Sequence, residues 1–219
     1  MHGNFAPMHN TCPPTPCHYT GDIPEEFNGG QYVRNGGNPS MNHDYGRDVH
    51  WFDGDGMLSG VFFRKIKGKT AQPEFVNNYV LTDIFLASRA NPNLRVPILP
   101  SVTTLINPSS SIFKIAYAIC RAILLVLWSY LNGSKWSIKK ISVANTGIVY
   151  HSGRALATCE SGPPMRVTLP ELDTVGWFNG LRAEGEPEDS TSPSLTGFGG
   201  PGFRGFLKKW TTGHVSVLG

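Results

Sequence analysis

The chain has 219 residues, of which 40% are hydrophobic and 16% charged, so it can bury a core of ordinary domain size. A formal net charge of +3 is too small to indicate a nucleic-acid surface, and nucleic acid is therefore excluded as an expected partner. Glycine (25) and proline (17) are abundant, which favours an all-β fold of short strands and tight turns over a helical bundle.

Residues 1–22 are predicted to form a proline-rich N-terminal arm. The opening MHGNFAPMHN contains no basic region followed by an apolar run, as a secretory signal peptide would, and this predicts a cytoplasmic protein. The cysteines occur at irregular spacings, which indicates reduced thiols rather than a disulfide framework; they are Cys12, Cys17, Cys120 and Cys159.

A first meander of strands is predicted over residues 49–82. The run 49–52 meets the turn DGDG at 53–56, whose Asp-Gly pairs accept positive φ and favour a hairpin. The partner in that hairpin is the run 57–66, which is apolar on both faces and is expected to be buried on both. A third strand is predicted at 74–81.

A long apolar segment, residues 111–131, then predicts a helix of about bilayer-spanning length. Lys114 and Arg121 share one face of it, and a spanning helix would place Arg121 near the bilayer centre at high cost. A helix lying in the membrane interface is therefore favoured, with a buried core helix and a spanning helix as alternatives. The expected membrane contacts are Ile112, Ile115, Ile119, Ile123 and Leu127.

A second set of short strands is predicted after residue 140. The runs that alternate with turn residues are 142–151, 155–159, 165–169 and 173–178. Two meanders of this size suggest sheet modules, either propeller blades or a large sandwich. Residues 182–203 are rich in Gly, Pro, Ser and acidic side chains, which indicates a mobile, solvated loop.

No local metal motif occurs around the seven histidines: HExxH and CxxC are both absent. Any metal site must therefore gather its ligands from distant strands. The nucleophile-elbow pattern GxSxG and the phosphate-binding pattern GxxxxGK[ST] are absent too, so hydrolases and nucleotide-binding proteins lose their usual support.

Five short motifs occur in a characteristic order. They are GQYVRNG at 30–36, HWFDGDGM at 50–57, ANT at 144–146, ESGPP at 160–164 and LDTVG at 172–176. Together they resemble the N-terminal signatures of the carotenoid cleavage oxygenase family, and in particular fungal members that cleave carotenoids or apocarotenals. The similarity covers roughly residues 23–214.

This resemblance implies a seven-bladed β-propeller that holds Fe(II) on its axis through four histidines, with three glutamates behind them. Residues 23–219 would be an incomplete propeller made of about the first blades, with the apolar helix inserted. The implied reaction adds both atoms of O₂ across a conjugated double bond of a carotenoid or apocarotenoid and releases two carbonyl products.

Two positions match functional residues of the family. His214, after the run WTTG, matches the first iron ligand, and Glu160 matches the first of the glutamates that hydrogen-bond a ligand histidine. His50 matches no ligand and is interpreted as packing, and His151 as a strand end. After His214 the chain departs from the family pattern, so an enzyme that is truncated and inactive by itself is expected.

Two other functions remain open. A non-catalytic fragment or membrane-surface binding protein would use the apolar helix and the lysines that follow it. A stilbene-cleaving dioxygenase is a weaker alternative, because a membrane-docking segment suits substrates dissolved in lipid.

Overall fold

The structure is a computed structural model of the 219-residue chain. It describes residues 6–40, 50, 52–68, 70–95, 97–101, 105, 107–131 and 136–187. Within these ranges the chain is mostly sheet, in two four-stranded antiparallel sheets accompanied by two α-helices and two short 3-10 helices. The described residues form no closed propeller, and a seven-bladed arrangement stays a prediction.

The first sheet has the order β1-β4-β3-β2. Its strands are β1 (Cys12–Pro16), β2 (Gln31–Asn38), β3 (Asp55–Arg64) and β4 (Gln72–Tyr79). Part of the segment predicted as an N-terminal arm is therefore an edge strand of this sheet. Proline cannot donate a ladder hydrogen bond, and an edge strand is where a sheet tolerates it.

The predicted hairpin between residues 49–52 and 57–66 is wrong. His50 and Phe52, the described residues of the first run, are not in a strand, and the Asp53 amide donates to the His50 carbonyl oxygen over 2.9 Å in a turn. β3 pairs instead with β2, in a register that sets Met57 opposite Gly36. β2 was not predicted, because the Asn and Gly residues in and after the motif GQYVRNG have low strand propensity.

The second sheet has the order β5-β6-β7-β8 and agrees with the four predicted runs. Its strands are β5 (Gly147–His151), β6 (Arg154–Thr158), β7 (Met165–Val167) and β8 (Thr174–Trp177). Ser152 and Gly153 join β5 to β6 with φ of +48° and +75°, as a tight two-residue hairpin requires.

One hydrophobic core joins the two sheets. Leu58 and Val76 of the first sheet belong to the same buried cluster as Met165 and Trp177 of the second. α1 (Asp83–Ala90), which the sequence analysis did not predict, packs beside this core in a second cluster. The two sheets are therefore held together by shared burial, in addition to the polar contacts described below.

The apolar helix α2 (Ile112–Leu131) has the predicted position and length. It contacts the protein through a narrow face, on which Leu125 and Val126 pack against the cluster around α1. Arg121 Nη1 donates to the Pro97 carbonyl oxygen over 2.8 Å. Among the described residues α2 is the helix long and apolar enough to cross a membrane, and only 6% of its apolar window is buried. The buried-core alternative is therefore wrong.

Residues 182–187 form the start of the segment predicted as a mobile loop, and they are held against the second sheet. Glu186 accepts hydrogen bonds from Nε and Nη2 of Arg154 at 2.8 and 3.0 Å, and it also pairs with Arg166. Ion pairs with a mostly buried carboxylate fix a loop more firmly than exposed pairs do. The rest of the predicted loop, residues 188–203, lies outside the described residues.

Acid should weaken the ion pairs of Glu186 that hold residues 182–187 against the second sheet. Hydrogen bonds from Arg154, aided by the charge of Arg166, hold the pKa of Glu186 below its usual 4.5 against the opposing effect of burial. A carboxyl whose pKa is lower in the folded state stabilises the fold above its unfolded pKa, and this stabilisation disappears as pH falls through the folded pKa. We expect the melting-temperature difference between wild type and Glu186→Gln to shrink below pH 4.5. A constant difference across the acid range would contradict this; the exposed Glu25→Gln is the control.

Candidate functional site

Glu160, the carboxylate assigned by family resemblance, lies in the turn after β6 and is exposed. Its Oε2 accepts a hydrogen bond from Thr146 Oγ1 over 3.0 Å. Thr146 is the last residue of the motif ANT, so two of the five motifs meet here. His214 lies outside the described residues, and its role as an iron ligand stays a prediction.

Asn145 links this pair to the first sheet. Its side chain is buried, and Nδ2 donates to the carbonyl oxygens of Phe52 and Gly54 over 3.1 and 3.0 Å. Both acceptors belong to the motif HWFDGDGM. We call the contact region of Asn35, Phe52, Gly54, Asn145, Thr146 and Glu160 the motif junction.

Asn35 completes the motif junction from the opposite direction. It lies on β2 in the motif GQYVRNG, and its Nδ2 donates to the carbonyl oxygens of Ala144 and Gly147, both over 2.8 Å. Two asparagines, Asn35 on β2 and Asn145 in the segment before β5, therefore each donate to main-chain carbonyl oxygens across the contact between the two sheets. Four of the five sequence motifs converge on this region.

Glycine allows the two main chains to approach. The Gly56 amide donates to the Val143 carbonyl oxygen over 2.8 Å. A Cβ at Gly56 would lie 2.6 Å from that oxygen and closer still to the Ala144 oxygen. At Gly37 a Cβ would lie 2.7 Å from the Phe52 oxygen. Both glycines are required by close backbone approach.

Asp83, the first residue of α1, holds the segment that leads into the motif junction. Its Oδ2 accepts from the amides of Lys139 and Lys140, and its Oδ1 accepts from the buried Trp177 indole, each over 2.9 Å. Lys140 Nζ lies 5.5 Å from the centre of the Trp177 ring. This carboxylate therefore ties α1, the 139–140 segment and β8 together.

A second carboxyl near the motif junction has a perturbed pKa. Burial raises the pKa of Asp55 above its usual 3.8, and hydrogen bonds from Ser40 oppose that rise. The Ser40 amide donates to Asp55 Oδ2 over 3.0 Å. Burial, with the charge of Asp55, also raises the pKa of Tyr79 to about 12. Asp55 therefore keeps its proton to a higher pH than a surface aspartate does.

The described residues do not form a metal site by themselves. In this part of the chain no three His, Cys, Asp or Glu side chains come together as a ligand group. His50 Nδ1 accepts from the Phe52 amide over 3.2 Å, and His151 is the exposed last residue of β5. A ferrous site needs several converging neutral imidazoles, so no chemical step through iron can be assigned to these residues.

A mainly apolar cavity of about 450 Å³ lies at the other end of β2 and β5. Gln31 Nε2 closes one side by donating to the Pro170 carbonyl oxygen over 2.8 Å. Its wall includes Val33, Phe62, Ile148 and Leu169. The strand registers separate it from the motif junction, because Gly147 pairs with Thr158 while Tyr150 pairs with Ala155.

Sequence reasoning assigned a role to Glu160 but none to the asparagines and the threonine around it. The available signal was that each of these side chains belongs to one of the five motifs. What the sequence did not contain was their proximity, since Asn35 and Gly147 are 112 residues apart along the chain.

Comparison with known proteins gives consistent matches. The family model described as "Retinal pigment epithelial membrane protein" matches residues 5–214. Carotenoid dioxygenase carX of Gibberella fujikuroi is 62% identical over 218 residues, which are 98% of this chain and 31% of that protein. A chloroplastic 9-cis-epoxycarotenoid dioxygenase of rice, NCED1, is 32% identical over 167 residues, which are 76% of this chain and 24% of that protein.

Solved structures share the fold at lower identity. A lignostilbene dioxygenase of Pseudomonas brassicacearum has a TM-score of 0.54 and 21% identity, covering 79% of this chain and 29% of that one. A variant of Synechocystis apocarotenoid oxygenase has a TM-score of 0.51 and 23% identity, covering 84% and 33%. The chain spans less than a third of the length of these two curated relatives, at 31% and 24%.

Proposed function

The chain belongs to the carotenoid oxygenase family, and from that premise we propose that it works as part of an Fe(II)-dependent dioxygenase that cleaves a carotenoid or apocarotenoid. The observation that carries the proposal is the 62% identity to a carotenoid dioxygenase over 218 residues. The reaction inserts both atoms of O₂ into one conjugated C=C bond, which breaks to give two C=O groups.

The chain would contribute scaffold and one functional carboxylate to this enzyme. Its two sheets meet at the motif junction, where Thr146 holds Glu160. Ferrous iron would supply the activation of O₂, and His214 is the ligand that the family resemblance assigns. Holding the Glu160 carboxylate is the task that the described residues can perform.

We expect the 219-residue chain alone to be inactive. It spans 31% of carX, and its described residues offer no group of three metal ligands. Purified chain, loaded with ferrous iron and incubated with an apocarotenal in air, should leave the polyene absorbance at the level of a protein-free control. Loss of absorbance with two carbonyl products would overturn this expectation.

A positive test of the dioxygenase requires longer coding sequence. Genomic DNA downstream of the His214 codon should be read in all frames for further spaced histidines. If a longer product exists, it should convert an apocarotenal to two carbonyl products that each carry one ¹⁸O from ¹⁸O₂. An iron-loaded longer product that leaves carotenoids and apocarotenals intact would count against the proposed function.

The outer face of α2 supports a peripheral contact with a membrane surface. It exposes apolar side chains along its whole length rather than packing them. Among the expected contacts Ile115 is half-buried, while Ile112, Ile119, Ile123 and Leu127 are 76%, 45%, 51% and 54% exposed. A helix with one anchored face and one apolar exposed face suits the membrane interface, where a lipid-dissolved substrate would be collected by a cytoplasmic enzyme.

Removing two of these side chains should weaken vesicle binding. We expect the double variant Ile119→Ser/Ile123→Ser to reduce partitioning onto phosphatidylcholine–phosphatidylserine vesicles by at least about tenfold, because each buried isoleucine contributes about 1.5–3 kcal/mol. The control is Tyr32→Ser/Tyr150→Ser, which removes side chains that are 60% and 67% exposed on the sheets. Equal losses in the two double variants, or no binding by wild type, would argue against the contact.

The exposed face of α2 also favours a second candidate, a membrane-surface binding protein without catalysis. Vesicle binding by the 219-residue chain with no active longer product would select it. The stilbene alternative receives no support beyond the fold, because the lignostilbene dioxygenase is only 21% identical.

A further inference from the structure

We propose that Asn145 is a positioning residue that fixes the Thr146 hydroxyl and, through it, the orientation of the Glu160 carboxylate. The importance of Glu160 rests on the proposed function. The coupling itself rests on the contacts within the motif junction and can be tested without any enzymatic assay.

The Asn145 amide can take only one orientation. It is 5% exposed, and its two N–H groups have two acceptors, the Phe52 and Gly54 carbonyl oxygens, at 3.1 and 3.0 Å. A flipped amide would set its oxygen against both carbonyls. The side chain therefore fixes the main chain at residue 145 relative to the first sheet.

Asn35 fixes the same segment from both sides of Asn145. Its acceptors, the carbonyl oxygens of Ala144 and Gly147, flank the pair Asn145–Thr146. Asn35 lies in the middle of β2. Every residue of β2 pairs with β3 in a regular register, without a bulge. A side chain mounted on a regular strand holds its partners more rigidly than one on a loop.

The backbone at this point is in an uncommon conformation. Ala144 is fully buried and has φ of +47°, in the left-handed region that residues with a Cβ rarely adopt. Such a conformation persists where the surroundings over-determine it. Here the Asn35 bond to its carbonyl oxygen does so, and the Thr146 amide is fixed in turn by the Thr158 carbonyl oxygen at 2.9 Å.

The Thr146 hydroxyl connects this ordered segment to Glu160 through a hydrogen bond. A hydroxyl has a single proton, and Thr146 Oγ1 lies 3.0 Å from Glu160 Oε2 and 3.3 Å from Asn145 Oδ1. The charged carboxylate is the stronger acceptor and takes the shorter bond, while Asn145 Oδ1 accepts the longer one, so the hydroxyl is shared between the two and Asn145 helps to set its direction. A glutamate whose carboxylate is hydrogen-bonded samples fewer rotamers than one without such a bond. The bonds from the first sheet through Asn145 and Thr146 thus limit the directions in which Glu160 presents its carboxylate.

Solution NMR of the 219-residue chain tests the coupling directly. Three-bond scalar couplings report the χ1 rotamer of Thr146 and the side-chain rotamers of Glu160. We expect one dominant rotamer at each position in wild type, and averaged values at both in Asn145→Ala. Thr146→Val should average Glu160, while Thr146→Ser, which keeps the hydroxyl, should restore its single rotamer.

The matched control is Asn78→Ala. Asn78 also connects the two sheets, through a 2.9 Å hydrogen bond from its Nδ2 to Asp173 Oδ1. Among the described residues, its side chain has no hydrogen bond to the motif junction. It should leave Thr146 and Glu160 ordered. Exchange of the Gly56 amide should be about tenfold faster in Asn145→Ala and unchanged in Asn78→Ala, as loss of one or two nearby hydrogen bonds predicts.

Three results would overturn the inference: a single Glu160 rotamer in either Asn145→Ala or Thr146→Val, averaging of Glu160 in Thr146→Ser, or equal averaging in Asn78→Ala. If Asn145→Ala does not fold, Asn145→Ser, which stays polar but removes the bonds to the Phe52 and Gly54 carbonyl oxygens, is measured in its place. The Thr146→Val and Thr146→Ser pair decides separately whether the hydroxyl orients Glu160. These rotamers are measured without iron or substrate, so their failure is distinct from failure of the dioxygenase assay.

Discussion

The variant Gly56→Ala should lower the free energy of unfolding by about 3 kcal/mol, a large effect for one methyl group. Its Cβ would lie 2.6 Å from the Val143 carbonyl oxygen and closer to that of Ala144. Both obstacles are main-chain atoms, so they cannot move aside as a flexible side chain could. Relief of the clash requires the two sheets to separate at the motif junction.

Gly36→Ala is the matched control for this experiment. Gly36 lies on the neighbouring strand β2, opposite Met57, and a Cβ there would meet nothing within 4 Å. Its unfolding free energy should stay within about 0.5 kcal/mol of wild type. Urea denaturation followed by circular dichroism measures both variants. Similar losses in the two would mean that strand propensity, rather than the close approach at Gly56, sets the cost.

A comparable loss, about 3 kcal/mol, is expected for Asp83→Ala. The substitution leaves three donors without their acceptor: the amides of Lys139 and Lys140 and the buried indole of Trp177. An unpaired buried donor costs about 1–3 kcal/mol, and the two amides are partly compensated by water. The loss should appear as a lower urea midpoint.

Asp83→Asn separates charge from hydrogen bonding. Its one remaining oxygen can serve the two amides, but its N–H groups then face the Trp177 indole N–H, so an intermediate loss is expected. Asp22→Ala, at an exposed carboxylate near the N-terminus, is the control and should be near neutral. An Asp83→Asn variant as stable as wild type would contradict the role given to the Trp177 contact.

The second sheet could be predicted from sequence because its signals are local. Short apolar runs alternate with turn residues, and the Ser152–Gly153 pair supplies the positive φ that a two-residue hairpin needs. α2 was predictable for the same reason, since twenty mostly apolar residues lie in one run. In both cases the decisive information lies within a few neighbouring residues.

The first sheet was predicted less well because its pairing depends on distant residues. The DGDG turn suggested a local hairpin, whereas β3 pairs with β2 across an intervening segment of residues 39–54. Asn35 and the glycines of β2 disfavour a strand locally, and only the tertiary contacts of the motif junction explain their presence. α1 was missed because eight residues give too short a pattern to detect.

The candidate site also combines one residue that the sequence could identify with contacts that it could not. Glu160 was recognised by family resemblance, and the structure adds its hydrogen bond from Thr146. The hydrogen bonds that Asn145 and Asn35 make within the motif junction could not be derived from sequence. They join segments about 90 to 110 residues apart, and packing decides which such segments meet. His214 stays a prediction of the resemblance.

The edge strand β1 has a consequence for self-association. Pro13, Pro14 and Pro16 occupy three of its five positions, on the outer side of β4. An edge strand with so few N–H donors is a poor template for another chain, so β1 hinders the addition of further strands to this edge. Deleting the residues before Cys17 would remove β1 and make β4 the edge strand, on which fibrils could nucleate.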